Sequence, residues 1–379
     1  MDLNECRAQI DKINNEILDL FLKRMEISTA VADYKQKNNM PILQKDREKE
    51  ILNLMAEKSG DEFAPYSKIL FSVMMNLSRS YQATKKGADS SFCISQIKEA
   101  LADVKEALPS SPSVACQGIE GAYSHLACNK IFDSPKVSFY KSFEDVFSAI
   151  ERGECKYGLL PIENCLHGSV NSVYDLMRNH NFFIVKGIKL EIGHTLLGKK
   201  GASLEDITDI YSHEQAIGQC SDFLKNHPDI KVHICENTAM AAKAVSEADG
   251  LSSASISSLE CAELYNLSPL CTSIANSKYN YTRFICISKD LEIYEGSDKI
   301  SLMLSLPHEP GSLFGLISKF AALNLNITKL ESRPTLGSDF EYLFYFDVEA
   351  SVFSEKVLAL ISELNKENSA VFLGSYSEL

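Results

Sequence analysis

A chain of 379 residues with 45% hydrophobic and 23% charged residues has room for two to three domains, and its composition excludes a disordered or collagen-like protein. The formal net charge of −13 argues against nucleic acid as the main partner, and no apolar run approaches the roughly 20 residues of a membrane-spanning helix. The first residues carry no apolar signal stretch, and the eleven cysteines show irregular spacing without a C-x-x-C pair. Reduced thiols, a cytoplasmic location and no structural zinc are therefore expected.

Residues 1–86 hold 14 basic and 13 acidic residues, so the net negative charge lies entirely beyond them. The segment contains almost no glycine and only two prolines, Pro41 and Pro65, and reads as helix throughout. At about 100° per residue, Ile10, Ile13, Ile17, Leu20, Phe21, Ile27 and Val31 share one stripe, and Arg24 and Lys35 fall within it. A cation among aliphatics is costly unless something anionic meets it. That anion is either an acid of the block itself or a ligand, unless the side chains snorkel to the edge of the stripe. A first helix of 30 or more residues, about 45 Å long, cannot bury its stripe inside an 86-residue monomer, which predicts a helical dimer. Arg47–Glu48 opens a second helix after Pro41. Ser78 and Gln82, spaced i,i+4, edge the apolar stripe of a third (Leu70, Val73, Met74, Leu77, Tyr81). Each of these polar residues alone reads as an ordinary solvated position.

In this order, Arg7, Arg24, Lys35, Arg47–Glu48, Ser78 and Gln82 resemble the all-helical chorismate mutases over nearly all of residues 1–86. Chorismate is a dianion that rearranges within one molecule, so the catalyst needs a shaped cavity, carboxylate clamps and donors at the breaking ether bond, but no nucleophile. The resemblance implies that Arg24, with Arg7 from the partner subunit, clamps carboxylates. Lys35 and Gln82 would donate to the ether oxygen and Glu48 would hold the ring hydroxyl, with Arg47 and Ser78 in support. Gln44 stands where some relatives carry an acid, a departure that bears on hydroxyl contacts and pH dependence.

Residues 87–112 read as a linker: GADSSF, a short amphipathic segment, then PSSPS. From Val114 short apolar runs alternate with helical segments, which predicts α/β units with largely parallel strands and a helix capped at Ser142 and stopped at Gly153. Gly118 and Gly121 precede Tyr123-Ser124-His125 at a helix start, a turn suited to a carboxylate. Glu163–Asn164 follows an apolar strand, at the end where open α/β sheets bind ligands. Ser212-His213, Gln215 and Gln219 follow another strand, and Thr282-Arg283-Phe284 opens a third. A hydroxyl beside a guanidinium could protonate a leaving hydroxyl while the cation holds a carboxylate, whereas simple β-propensity explains a lone Thr-Arg equally.

Together GIEGAYSHLA, YGLLPIEN…GSV, SHEQAIGQC and TRF resemble the prephenate dehydratases over about Val114 to Lys289. The resemblance implies two α/β lobes like those of periplasmic binding proteins, with prephenate converted to phenylpyruvate in the cleft. Thr282 would be the essential hydroxyl, and Ser124, Glu163, Asn164, Ser212, Gln215, Gln219 and Arg283 would bind or position substrate. His213 is either a general acid or a structural imidazole. Cys165, where relatives usually have Ser or Thr, and Glu214, where Pro is common, depart from the pattern.

Residues 299–379 read as βαββαβ, the split βαβ order. Gly311-Ser312-Leu313-Phe314 and Glu331-Ser332-Arg333-Pro334 resemble the two motifs of ACT regulatory domains, the first with Ser312 and Phe314 as departures. That resemblance implies L-phenylalanine as effector, its carboxylate on the N–H groups of Gly311–Leu313.

The fold class expected is therefore multidomain: an all-α mutase dimer domain (1–86), a linker (87–112), a two-lobed α/β dehydratase (113–290) and an α+β ferredoxin-like ACT domain (299–379). The whole resembles the bifunctional chorismate mutase–prephenate dehydratases, taking chorismate and prephenate as substrates and working as a homodimer or larger homo-oligomer. Without a P-loop, a G-x-G-x-x-G after a strand or an H-E-x-x-H, no metal, nucleotide or redox cofactor is expected. Two alternatives remain open: a dehydratase whose helical block only dimerises, and a non-catalytic ligand sensor.

Overall fold

The computed structural model describes residues 2–38, 40, 44–88, 91–334 and 342–379. Pro41, expected ahead of the second helix, lies outside them. The chain forms two units, one of Met1–Lys98 with Leu302–Phe372, the other of Glu99–Ser301 with Leu373–Leu379.

Helix α1 (Leu3–Lys37) runs for 35 residues, about 50 Å at 1.5 Å per residue. Helix α2 (Lys45–Lys86) contains both remaining helices of the helical block, because its backbone leaves the helical region at Gly60 (φ 72°, ψ 162°). A positive φ with no helical ψ is readily adopted only by glycine, so the break sits where the sequence allows it. Helix α3 (Phe92–Ala102) occupies the linker region, with Ile94 and Ile97 fully buried.

The α/β unit carries two sheets. Strands β1 (Ser113–Gln117), β2 (Lys136–Tyr140), β3 (Tyr157–Asn164), β4 (Gly168–Ser169) and β5 (Phe183–Glu191) alternate with α4 (Tyr123–Ile131), α5 (Phe143–Glu151) and α6 (Asn171–Met177). The chain then builds a second lobe from β6 (Thr195–Lys199), β7 (Asp209–Ser212), α7 (Glu214–Gln219), α8 (Ser221–Lys225), β8 (Lys231–Ile234), α9 (Thr238–Glu247), β9 (Ser253–Ser257), α10 (Glu260–Leu264) and β10 (Leu267–Cys271). It returns through β11 (Tyr281–Ser288), which inserts between β3 and β5. The sheet orders are β2-β1-β3-β11-β5 and β10-β6-β9-β7-β8. Only β1, β2 and β3 in the first lobe and β7, β8 and β9 in the second pair in parallel. β11 is antiparallel to both neighbours, so the expectation of largely parallel strands is corrected: a chain that leaves a lobe and comes back re-enters the sheet in the opposite direction. As the sequence predicts, Ser142 caps α5 in a capping box with Asp145, and Gly153 (φ 71°) follows its end.

The C-terminal block has the element order β12 (Lys299–Ser305), α11 (Ser312–Ala322), β13 (Asn326–Pro334), β14 (Tyr342–Glu349), α12 (Glu355–Asn368) and β15 (Val371–Tyr376), in one sheet ordered β13-β14-β12-β15. Helices α11 and α12 pack on α2, and a Cβ at Gly315 would meet Asn76 Nδ2 at 2.9 Å, so glycine lets α11 approach closely. The last residues turn to the α/β unit. Gly187 N donates to Ser377 O (3.0 Å), Leu379 N to Gly187 O (3.0 Å) and Lys189 N to Leu379 O (2.9 Å), adding a strand-like edge to β5. Gly374 (φ 145°) crosses β5 so tightly that a Cβ there would lie 2.2 Å from Ile184 O.

Candidate active sites

Between α1 and both halves of α2 lies a cavity of about 400 Å³. Arg24, Lys35, Gln44, Arg47, Glu48, Ser78 and Gln82 all line it, with Ile27, Val31, Ile51 and Met75 as apolar walls. Arg7 does not; it is exposed one turn from the start of α1. Arg24 is half-buried, and its Nη1 donates to Ser78 Oγ (2.5 Å) and Met74 O (3.2 Å), two neutral acceptors. Burial lowers its pKa, opposed by the charge of Glu48. Gln82 Nε2 donates to Ser28 O at 2.6 Å. Arg47 is exposed at the rim and pairs with Glu50 (2.6 Å). The cavity also contains a cation that the sequence reading passed over, Arg79, whose Nη1 donates to Glu48 Oε1.

In the α/β unit, β-sheet register sets Asn164 beside Thr282. Asn164 Nδ2 donates to Thr282 Oγ1 (2.9 Å) and Asn280 Oδ1 (2.9 Å), while its Oδ1 accepts from the backbone N–H of Leu166 (3.0 Å) and His167 (3.1 Å). Those two backbone donors fix which end of the amide faces Thr282. Cys165 ties the same loop to the strand: its Sγ accepts from Tyr281 N (3.1 Å) and donates to Tyr279 O (3.5 Å). The departure from Ser or Thr thus keeps a side chain that both accepts and donates.

The polar chain continues into the second lobe. Asn280 Nδ2 donates to Gln219 Oε1 (3.0 Å), which also accepts from His194 Nε2 (2.6 Å). An amide oxygen only accepts, so the His194 proton is on Nε2. Burial lowers the pKa of His194, and the bond to Gln219 opposes this. Asn280 and His194, both nearly fully buried, were missed by the sequence reading. Ser212 is buried and donates to Ile256 O (2.7 Å), Ser124 is buried on α4, and Gln215 is exposed. Glu163 is half-buried at the end of β3. His213 caps α7, its Nδ1 accepting from Gln215 N (3.3 Å); burial lowers its pKa against the opposing charge of Glu214.

Arg283 is a correction. Successive strand residues point to opposite faces, so Arg283 leaves Thr282 and enters the sheet's other side. There it is buried, pairs with Glu378 and donates to Tyr376 Oη (2.8 Å); Glu378 also meets Lys299 Nζ at 2.6 Å. The carboxylate it holds belongs to the chain, not to a ligand. Burial alone would raise the Glu378 pKa, but Arg283 and Lys299 outweigh it and hold it at about 2. Against an ordinary glutamate near 4.3, this stabilises the fold fully above that value and is lost as pH falls toward 2. Glu378→Gln, which removes the carboxylate that Arg283 and Lys299 share in a buried setting, is expected to cost about 3 kcal/mol; the urea midpoint of the dehydratase unit measures it.

A further cavity of about 350 Å³ in the C-terminal block brings Ser312 and Leu313 together with Pro307, Tyr342 and Phe344. Gly311 (φ 89°) is the N-cap of α11. Glu331, Ser332 and Arg333 lie on β13, paired with Tyr345, Phe344 and Leu343, and do not line this cavity. Among the described residues no group of acids, histidines and cysteines is arranged to hold a metal, and no helix is long and apolar enough to cross a membrane.

The family profile of the prephenate dehydratases matches residues 114–292, and that of the type II chorismate mutases matches residues 6–83. The chain is similar to the bifunctional chorismate mutase/prephenate dehydratase of Aquifex aeolicus, with 30% identity over 99% of this chain and 98% of that protein. It is also similar to that of Escherichia coli (strain K12), with 29% identity over 98% and 95%. The solved prephenate dehydratase of Arthrobacter aurescens in complex with L-Phe covers 70% of this chain and 89% of its own, at 26% identity and a TM-score of 0.64. With two cavities in the helical and C-terminal blocks, a threonine-centred polar chain between two lobes, and relatives matching end to end, the chain belongs to the bifunctional chorismate mutase/prephenate dehydratases, which rearrange chorismate to prephenate and then decarboxylate and dehydrate it to phenylpyruvate.

Proposed function

We propose that residues 1–86 are the mutase, 87–112 a linker, 113–290 the dehydratase and 299–379 a ferredoxin-like ACT domain that binds L-phenylalanine and restrains the pathway to it. The observation that carries the mutase assignment is the cavity itself, which gathers nine polar residues from α1 and both halves of α2 around one hollow. Arg24, whose contacts are neutral, and Arg7 from a partner subunit clamp the two carboxylates of chorismate. Lys35 and Gln82 donate to the ether oxygen as the C–O bond breaks, and Glu48 receives the ring hydroxyl, with Gln44, Arg47 and Ser78 shaping the site. Ile10, Ile13, Ile17, Leu20, Ile27 and Val31 are 44–66% exposed along α1, a stripe that a second copy would cover while delivering Arg7. A homodimer or larger homo-oligomer is the expected assembly.

In the dehydratase, Thr282 accepts from Asn164, which leaves its own O–H to donate to the departing ring hydroxyl of prephenate. Carbon dioxide leaves as the ring becomes aromatic, so the catalyst has only to assist the leaving group and hold the substrate. Asn164, and through Asn280 also Gln219, are the polar groups joined to that point. Ser124, Ser212 and Gln215 are carried as motif positions that bind or position substrate, whereas Glu163, opposite Arg283 in the β3–β11 register, falls on the sheet's other face. The sheet order β13-β14-β12-β15 in a βαββαβ chain supports the ferredoxin-like assignment. The effector assignment rests on the cavity at Ser312–Leu313 and on the bound L-Phe of the Arthrobacter relative, with Gly311, Glu331, Ser332 and Arg333 as motif positions. The metabolic setting is the cytoplasm, with neither cofactor nor nucleic acid.

The test is to supply the purified protein with chorismate, follow its loss together with phenylpyruvate, and titrate L-phenylalanine. Both conversions are expected, with phenylpyruvate formation falling as the amino acid is added. A rate that ignores L-phenylalanine would refute the regulatory part while leaving the two activities standing.

A further inference from the structure

Arg79 follows Ser78 on α2, and its side chain is only 13% exposed. The guanidinium makes two hydrogen bonds and one looser ion pair, in which Nε has no hydrogen-bond partner among the described residues. Nη1 donates to Glu48 Oε1, Nη2 donates to Asn76 Oδ1, and Nε lies 3.5 Å from Glu367 Oε1 on α12. Glu367 also accepts from Lys319 of α11, whose Nζ lies 2.6 Å from Glu363 Oε1. Five charged side chains from α2, α11 and α12 thus form one continuous network, each no more than 27% exposed. One end of it, Glu48, lines the mutase cavity; the other lies on the helices of the C-terminal block.

A planar guanidinium offers its donors at fixed angles, so the bonds to Glu48 and Asn76 fix its plane while the charge of Glu367 holds it from the far side. In a shielded setting each contact is costly to break. Glu367 therefore holds Arg79 from behind while Arg79 holds one oxygen of Glu48 from the side. Among the described residues, Glu48 Oε2 meets no hydrogen-bond donor, which leaves that oxygen for a ligand hydroxyl. We propose that Arg79 is a positioning residue of the mutase reaction, anchored by Glu367 of α12, so that the C-terminal block helps set where Glu48 stands when chorismate binds. The proposal rests on reading Glu48 as the acceptor of the ring hydroxyl.

The test uses the full chain with Arg79→Gln, Arg79→Lys, Glu367→Gln and Glu48→Gln, and the double variants E48Q/R79Q and E48Q/E367Q. Chorismate loss and phenylpyruvate formation from supplied prephenate are measured on each. Misplacing a reacting group by about 1 Å can cost about 100-fold, so R79Q is expected to lower mutase kcat/KM by about 10- to 100-fold. Arg79→Lys should recover part of this, and E367Q should lose about 5-fold, the scale of coupling through a packed network. Dehydratase activity should stay at the wild-type level in all of them, which also reports that the chain has folded. Because Arg79 and Glu367 act through Glu48, neither substitution should lower the rate further once Glu48 is glutamine. Losses that add in the double variants, or wild-type mutase rates in R79Q and E367Q beside a damaged E48Q, overturn the proposal. A harmless E48Q removes the hydroxyl-acceptor reading itself and the proposal with it, and that single variant tells the two failures apart.

Discussion

Thr282→Ala is expected to lower phenylpyruvate formation by about 10²–10⁴-fold, the range for loss of a positioned proton donor, while chorismate consumption continues at the wild-type rate. The substitution removes a hydroxyl that accepts from Asn164 and so has its proton free for the substrate. Thr282→Ser keeps that hydroxyl and should keep most of the activity. Prephenate accumulating from chorismate in the alanine variant would be the direct signature, since the two reactions are carried by different units of the chain. Undiminished phenylpyruvate formation in Thr282→Ala would withdraw the assignment.

Arg24→Met should show the reverse pattern. Loss of a charge-stabilising donor typically costs about 10²–10³-fold in rate, so chorismate turnover should fall by that amount with dehydratase activity on supplied prephenate intact. The same exchange removes a half-buried cation whose contacts are a hydroxyl and a carbonyl, and an apolar side chain of similar length replaces it without leaving a partner charge stranded. Thermal unfolding should therefore be unchanged or shifted slightly upward. A variant that loses mutase activity and stability together would point to Arg24 as a strut of the helical block instead. Wild-type turnover would return the helical block to the dimerising role that the sequence left open.

The cavity of the helical block was legible because its residues sit at helical spacings, where a cation inside an apolar stripe is conspicuous at a glance. Arg79 was not, because an arginine beside a serine on a polar face has nothing unusual around it. Its significance comes from Glu367, far away in sequence and on another block. In the dehydratase, the pairing of β3 with β11 turned two separate motifs into one Asn164–Thr282 contact, which no local pattern records. Asn280 and His194 escaped notice because a single polar residue next to a strand has no period to betray it. Arg283 was misplaced for a simpler reason: neighbours on a strand cannot face the same space, and that rule was available from the sequence once β11 was recognised. The same strand explains the failed expectation of parallel sheets, since no local pattern records that the chain departs to a second lobe and returns.

The residues after β15 complete the edge of β5 and place Glu378 on Arg283, one position from Thr282. A monofunctional dehydratase carved from this gene cannot simply stop at the end of β11. It would lose the peptide that zips the lobe shut, leaving open backbone on β5 and taking away the carboxylate that Arg283 of β11 holds. Modularity in this enzyme is thus partial: the order of the blocks along the polypeptide suggests beads on a string, yet the final bead is sewn back into the middle one.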